Sequence, residues 1–173
     1  LVTGGNSGIG LGMADALAGQ GATVAIWGTN PSKNCAAAEQ LRSHGNPVLD
    51  LVCDVGDHQA VIDSMAVTVA ALGRIDSCFV NAGVGGQAPS FVGMSEEEWN
   101  RVMRVNLDGA FFTAQEAVKQ MVAQSPQGGS VVFTTSGSAK YGQQRGQHYG
   151  GSKGALISMM KGIAVEHARH GIR

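Results

Sequence analysis

The stretch HYGGSKGAL, His148 to Leu156, sets a tyrosine and a lysine four residues apart. On one helix, positions i and i+4 share a face, so Tyr149 and Lys153 can bring a phenol and an ammonium together. Such a pair suits proton exchange with an oxygen whose charge changes, as in reduction of a carbonyl or oxidation of an alcohol, where a second group carries the hydride. An ordinary phenol, with a pKa of about 10, donates well but is rarely ionised near neutrality. A cation beside it favours the phenolate. The residues between the two, Gly150, Gly151 and Ser152, are poor helix openers at a cost of up to about 1 kcal/mol per glycine, and they keep side-chain bulk away from anything lying against this turn.

A hydride carrier needs a seat. TGGNSGIG, Thr3 to Gly10, follows a short apolar pair and runs into a helical pattern. In that context Gly4, Gly8 and Gly10 permit a tight turn, let backbone approach a pyrophosphate, and leave the amides of the first helical turn free to meet phosphate oxygens. A glycine turn with no ligand is the alternative.

The elements that must position these two clusters alternate along the chain. Apolar runs at 1–2, 22–27, 47–53, 76–80 and 130–135 read as strands. Helical patterns follow the first four, at 8–20, 31–45, 57–73 and 95–122, and a fifth helix carries Tyr149 and Lys153. Asn30-Pro31 is a cap followed by proline at the first helical position, and Ser95 with Glu98 three residues on is a capping box. Strands separated by helical crossovers predict a doubly wound parallel α/β sheet with helices on both faces. No linker or internal repeat divides the 173 residues, so one domain is expected.

Composition narrows the partners. With 12 Lys+Arg against 13 Asp+Glu and no run of like charge, neither nucleic acid nor an anionic membrane is favoured, and a small molecule fits better. No apolar stretch approaches the roughly 20 residues of a membrane helix, and no signal segment opens the chain, so a cytoplasmic protein is expected. Cys35, Cys53 and Cys78 are isolated and read as buried reduced thiols; no metal-ligand spacing is present, and no metal is expected. The chain opens on Leu1 rather than methionine and closes on HGIR, and so reads as a partial chain, truncated at both ends.

Taken together the motifs resemble the short-chain dehydrogenase/reductase family over essentially the whole chain. Its T-G-x-x-x-G-x-G fingerprint matches Thr3 to Gly10, and further landmarks follow in order: Asp54-Val55, Asn81-Ala82-Gly83, Asn106, Ser136, Tyr149 and Lys153. The resemblance implies a three-layer α/β/α sandwich of Rossmann type whose C-terminal strands lie beyond Arg173. It implies a cofactor site of Gly4, Ser7, Gly8, Ile9, Gly10, Thr29, Asn30, Asp54, Val55, Asn81, Ala82, Gly83, Tyr149 and Lys153. Asp54 would bind the adenine amine with the Val55 amide beside it, and the backbone of 81–83 would pass under the adenosine ribose. Tyr149 would be the general acid/base and Lys153 would also bind the nicotinamide ribose. Ser136 would orient the substrate carbonyl. Asn106 would interrupt the fourth helix, its side chain or a freed carbonyl holding a water that links Lys153 to solvent.

The residue that discriminates the two nicotinamide dinucleotides stands just after the second strand. There the sequence reads AIWGTNPSKN, with Gly28 in place of an acid, donors on Thr29 and Asn30, and Lys33 within reach. That leans towards NADP(H) over NAD(H). Val84–Ser95 and Ser138–His148 are expected to flank the entrance, where Gln143, Gln144, Arg145 and His148 would meet a polar or acidic substrate or else form a solvated loop. The fourth and fifth helices are apolar enough to bury a partner, so a homodimer or homotetramer is expected. Two other readings fit the same fold: a non-catalytic dinucleotide sensor or scaffold, and an extended-type epimerase or dehydratase.

Overall fold

Every residue of VAIWG, Val24–Gly28, is buried, as befits a strand covered on both faces. The computed structural model describes residues 1–173 and makes this segment β2 of a five-stranded sheet. The others are β1 (Val2–Thr3), β3 (Val48–Val52), β4 (Ser77–Val80) and β5 (Ser130–Phe133), all parallel, in the spatial order β3-β2-β1-β4-β5. The order reverses between β1 and β4, so a crevice opens at their carboxyl ends, where sheets of this kind bind ligands.

Seven α-helices surround the sheet: α1 (Gly8–Gly19), α2 (Pro31–Arg42), α3 (His58–Leu72), α4 (Glu96–Met103), α5 (Gly109–Ala123), α6 (Ser138–Tyr141) and α7 (Gln147–His167). Alternation along β2 assigns its side chains to two cores. Val24 and Ile26 join Val2, Ala14, Ala18, Ala37 and Leu41 under α1 and α2. Ala25 and Trp27 join Val61, Met65, Ala114, Met121 and Leu156 under α3, α5 and α7. Trp27 is fully buried, and its indole N–H is satisfied by Thr68 Oγ1 at 3.0 Å.

The predicted elements are all present, with boundaries moved for local reasons. Helix α2 stops at Arg42 rather than 45, and the chain turns at Gly45 with φ +86. The fifth strand leaves the ladder at Phe133, because Thr134 turns its carbonyl to Lys153 Nζ (2.9 Å) and its hydroxyl to Asn81 Oδ1 (3.0 Å). The helix expected over 95–122 is broken by a π-helical segment, Arg104–Asp108. Helix α6 lies in a segment read as loop. Ser95 Oγ accepts from Glu98 N (3.1 Å) as expected, but the return half of the capping box is missing, since the Glu98 carboxylate is held by Arg101 and His148. Cys53 and Cys78 are buried and free, and burial pushes the Cys78 thiol up to about 11; Cys35, expected to be buried, is exposed.

One polar side chain ties the sheet margin to the helices. Asn34 is 1% exposed, and its Nδ2 donates to Gly28 O (3.0 Å) and Leu51 O (2.8 Å) at the ends of β2 and β3. Its Oδ1 accepts from Asn6 Nδ2 in the glycine turn at 2.6 Å. Each of these three bonds contributes about 0.5–1.5 kcal/mol, although Gly28 O keeps a second donor in Cys53 N at 3.1 Å. Asn34→Ala is therefore expected to destabilise by about 2–4 kcal/mol in urea unfolding; a loss under about 0.5 kcal/mol would show that the network contributes nothing.

Candidate active site

The crevice at the strand-order reversal is a cavity of about 1190 Å³. Its floor is set by Thr3 and Asn81, the last residue of β1 and the residue just after β4. Thr3 Oγ1 accepts from the amides of Asn81 (3.0 Å) and Ala82 (3.1 Å), and Asn81 Nδ2 donates to Thr3 O (3.0 Å). These bonds carry the chain 81–83 under the opening. Gly4, with φ +64, bends the backbone away from β1 into α1. At Gly10 a Cβ would overlap Gly4 O and lie 2.5 Å from Asn81 Nδ2, so the first turn of α1 can sit this close to the strands only without a side chain.

Ser7 is the N-cap residue, yet its side chain gives no cap hydrogen bond. The first-turn amides of α1 therefore lack the usual intramolecular acceptor, at the positive end of the helix dipole. Gly4, Ser7, Ile9 and Gly10 line the cavity beside them. A phosphate-bearing ligand fits this cradle.

Of the remaining expected cofactor residues, Thr29, Asp54, Val55, Asn81, Ala82, Gly83, Tyr149 and Lys153 also line the cavity. Gly8 and Asn30 do not. Gly8 turns the chain with φ +51, and Asn30 caps α2, its Oδ1 accepting from Lys33 N at 2.9 Å. Asp54 is not a helix cap, a role taken by Asp57. The Asp54 carboxylate accepts from Gly56 N and pairs with Arg104 at 3.0 Å. Arg104 also lines the cavity and carried no sequence signal.

Tyr149 and Lys153 sit on the first turns of α7 and open into this same cavity. Lys153 is 3% exposed, with Nζ donating to Thr134 O at 2.9 Å. Burial lowers its pKa. Gly83 stands close by, where an added Cβ would lie 3.3 Å from Lys153 Nζ and 3.2 Å from Asn106 Oδ1.

Asn106 is fully buried in the π-segment. Its side chain is committed: Oδ1 accepts from Val84 N (2.7 Å) and Nδ2 donates to Val84 O (2.9 Å). Of the two relay routes expected for this residue, the side-chain one is thus occupied by the chain that follows Gly83. Ser136 is not among the residues that line the cavity; it is paired with Ser138, whose hydroxyl donates to Ser136 Oγ at 2.9 Å. That contact leaves the Ser136 proton free to be given to another acceptor.

The same cavity wall also includes Gly85, Gly86, Gln87, Glu98, Arg101 and Gln143. Glu98 was legible only as part of a cap, and Arg101 not at all. Arg145, expected at the entrance, instead fastens the two entrance segments together: its Nε donates to Ala88 O (2.7 Å) and its carbonyl accepts from Ala88 N (2.8 Å).

A family model described as short chain dehydrogenase matches residues 1–173. L-rhamnose 1-dehydrogenase (NAD(P)(+)) of Sphingomonas sp. (strain SKA58) is 36% identical, over 100% of this chain and 68% of its own. The 3beta-hydroxysteroid dehydrogenase of Mediterraneibacter gnavus is 33% identical, over 99% of this chain and 61% of its own. The crystal structure of NAD+-bound xylitol dehydrogenase superposes with a TM-score of 0.94 at 34% identity, over 99% of this chain and 65% of that one. The chain thus spans about two thirds of the length of the relatives it matches.

The lowered pKa of Lys153 has a consequence for stability. Between that lowered value and the ordinary 10.5, the unfolded chain binds more protons than the folded one, so the penalty for burying the ammonium fades as pH rises. Lys153→Met removes the titration. The stability of the parent relative to this variant is expected to rise between pH 7 and pH 10.5, measured by urea unfolding; a flat difference would place the amine in water.

Proposed function

Because the chain belongs to the short-chain dehydrogenase family, we propose that it is a nicotinamide-dinucleotide-dependent oxidoreductase interconverting a ketone and a secondary alcohol. The observation that carries this reading is that the Tyr149–Lys153 pair and the glycine turn share one cavity. The dinucleotide, when bound, supplies or accepts the hydride. The protein's own groups do the rest.

Gly4, Ser7, Ile9 and Gly10 hold the pyrophosphate, and Asp54, Val55 and the 81–83 backbone hold the adenosine. The Tyr149 phenol gives a proton to the carbonyl oxygen as it gains charge, and takes it back in the reverse direction. Lys153, anchored by Thr134, holds the nicotinamide ribose and keeps a positive charge near the phenol. Ser136 donates to the same substrate oxygen and fixes it for the transfer. Asn106 holds Val84, and with it the glycine strip over which the nicotinamide end lies.

NADP(H) is the favoured dinucleotide. No carboxylate follows β2, Thr29 offers a hydroxyl, and the only acids on the cavity wall, Asp54 and Glu98, are both paired with arginines. The exposed Phe111 on α5 and Met160 and Val165 on α7 support a homodimer or homotetramer formed through these helices. Three unpaired cysteines suit a reducing, cytoplasmic setting.

Tyr149→Phe is expected to lower kcat by about 10²- to 10⁴-fold, the usual worth of a positioned acid–base group, with the dinucleotide dissociation constant changed less than about threefold. Unchanged turnover would refute the mechanism. In a side-by-side assay with one ketone, kcat/KM should be higher with NADPH than with NADH, and the reverse order would overturn the cofactor assignment.

A further inference from the structure

At the cavity wall, three charged or ionisable side chains from two helices form a single unit, two of them lining the cavity and the third buried behind them. His148, next to Tyr149 on α7, is 0% exposed, and its Nε2 lies 3.2 Å from Glu98 Oε1 on α4. Arg101, one turn further along α4, gives Glu98 two bonds, Nε to Oε2 at 2.8 Å and Nη2 to Oε1 at 3.0 Å. The same Nη2 donates to Gly85 O at 2.8 Å. The backbone at Gly86 runs so close over the pair that an added Cβ would overlap His148 Nε2 and lie 2.9 Å from Glu98 Oε1.

The unit is therefore clamped from behind by a buried ring and from above by a glycine. Its open face is the cavity, which Glu98 and Arg101 line together with Gln87 and Gln143. We propose that the Glu98–Arg101 pair, braced by His148, is the substrate-recognition wall and takes a neutral polyhydroxylated substrate, a sugar or polyol. This rests on the oxidoreductase reading above and extends it to the substrate.

The chemistry of the free groups leads to that class. Arg101 has five N–H donors; three are used by Glu98 and Gly85, which leaves both on Nη1. Glu98 Oε2 accepts a single hydrogen bond and can take another. A charged donor and a charged acceptor thus stand side by side, matching a hydroxyl pair that must both accept and donate. An apolar substrate would bury this pair and give its free positions nothing. An anionic substrate would meet Arg101 already neutralised and Glu98 repelling it. Arg101, before His148, holds the Glu98 pKa down to about 2, so the wall keeps both charges across the neutral range.

The test is a set of initial rates on the purified protein with both dinucleotides. The alcohols are a hexitol and an aldose, a monohydroxy secondary alcohol of similar size, and a hydroxy acid, each assayed with the parent, Arg101→Leu, Arg101→Lys and Glu98→Gln. The parent should show a kcat/KM at least tenfold higher for the polyhydroxylated substrates. Arg101→Leu and Glu98→Gln should lower it at least tenfold more for those substrates than for the monohydroxy alcohol, chiefly through KM, with Arg101→Lys recovering part. Equal losses on all substrates would make the pair a structural brace and overturn the proposal. So would preference for the hydroxy acid, lost in Arg101→Leu, or for the monohydroxy alcohol. Absence of hydride transfer to or from every substrate, with dinucleotide still bound, would instead sink the oxidoreductase reading itself, and the substrate assignment with it.

Discussion

The reciprocal bonds between Thr3 and Asn81 are the constraint on which the rest of the structure depends. They close the gap between β1 and β4 at the one place where the sheet has no crossover to fill it. Asn81 is also bonded by Thr134 beyond β5, so the ends of three strands meet on one amide side chain. Once those ends are fixed, the glycine turn, the 81–83 strip and the Lys153 anchor at Thr134 take their places around a single opening. Short polar side chains bonded mostly to backbone hold this geometry, and glycines leave it room.

Two sides of the wall meet in that opening and are held by different means. The turn into α1 leaves its amides without a side-chain cap, and so suits negative charge without supplying a countercharge. The α7 end is the reverse, with a lysine buried against a carbonyl and a phenol exposed to the cavity. One end thus offers backbone dipoles and the other carries the titratable groups. Burial of Lys153 weakens the fold locally at neutral pH, a local cost expected where a group is placed for chemistry rather than packing.

Much of this was legible in the sequence because it rests on local rules. Strand and helix order followed from periodicity, the α2 cap from Asn30-Pro31, and the Tyr149–Lys153 face from helical spacing. The glycine turn was readable because part of the need for Gly4 and Gly10, the positive φ of one and the contact of the other with Gly4 O, is internal to eight residues. What stayed hidden depends on long-range contacts. Asn34 looks like any polar helix residue until β2 and β3 end against it. Glu98 reads as a cap because one of its two partners, His148, is fifty residues away, and the other, Arg101, reads as an ordinary surface residue. Arg104 reads as surface until Asp54 is opposite it. Cys35 misled because the spacing of small residues in α2 does not say which side faces the sheet.

The π-segment at Arg104–Asp108 does more than seat Asn106. Its wider turn closes a bond from Gly109 to Arg104, one residue beyond the α-helical step. One surplus residue turns everything before it by about 100° relative to everything after. The helix is thereby split into two independently phased parts. Helix α5 keeps its small apolar side chains against the sheet, while α4 presents its own choice of residues to the entrance. A change of side chain on α4 can alter what enters the cavity without re-registering the core below it, so the structure separates the part free to diversify from the part that must stay fixed.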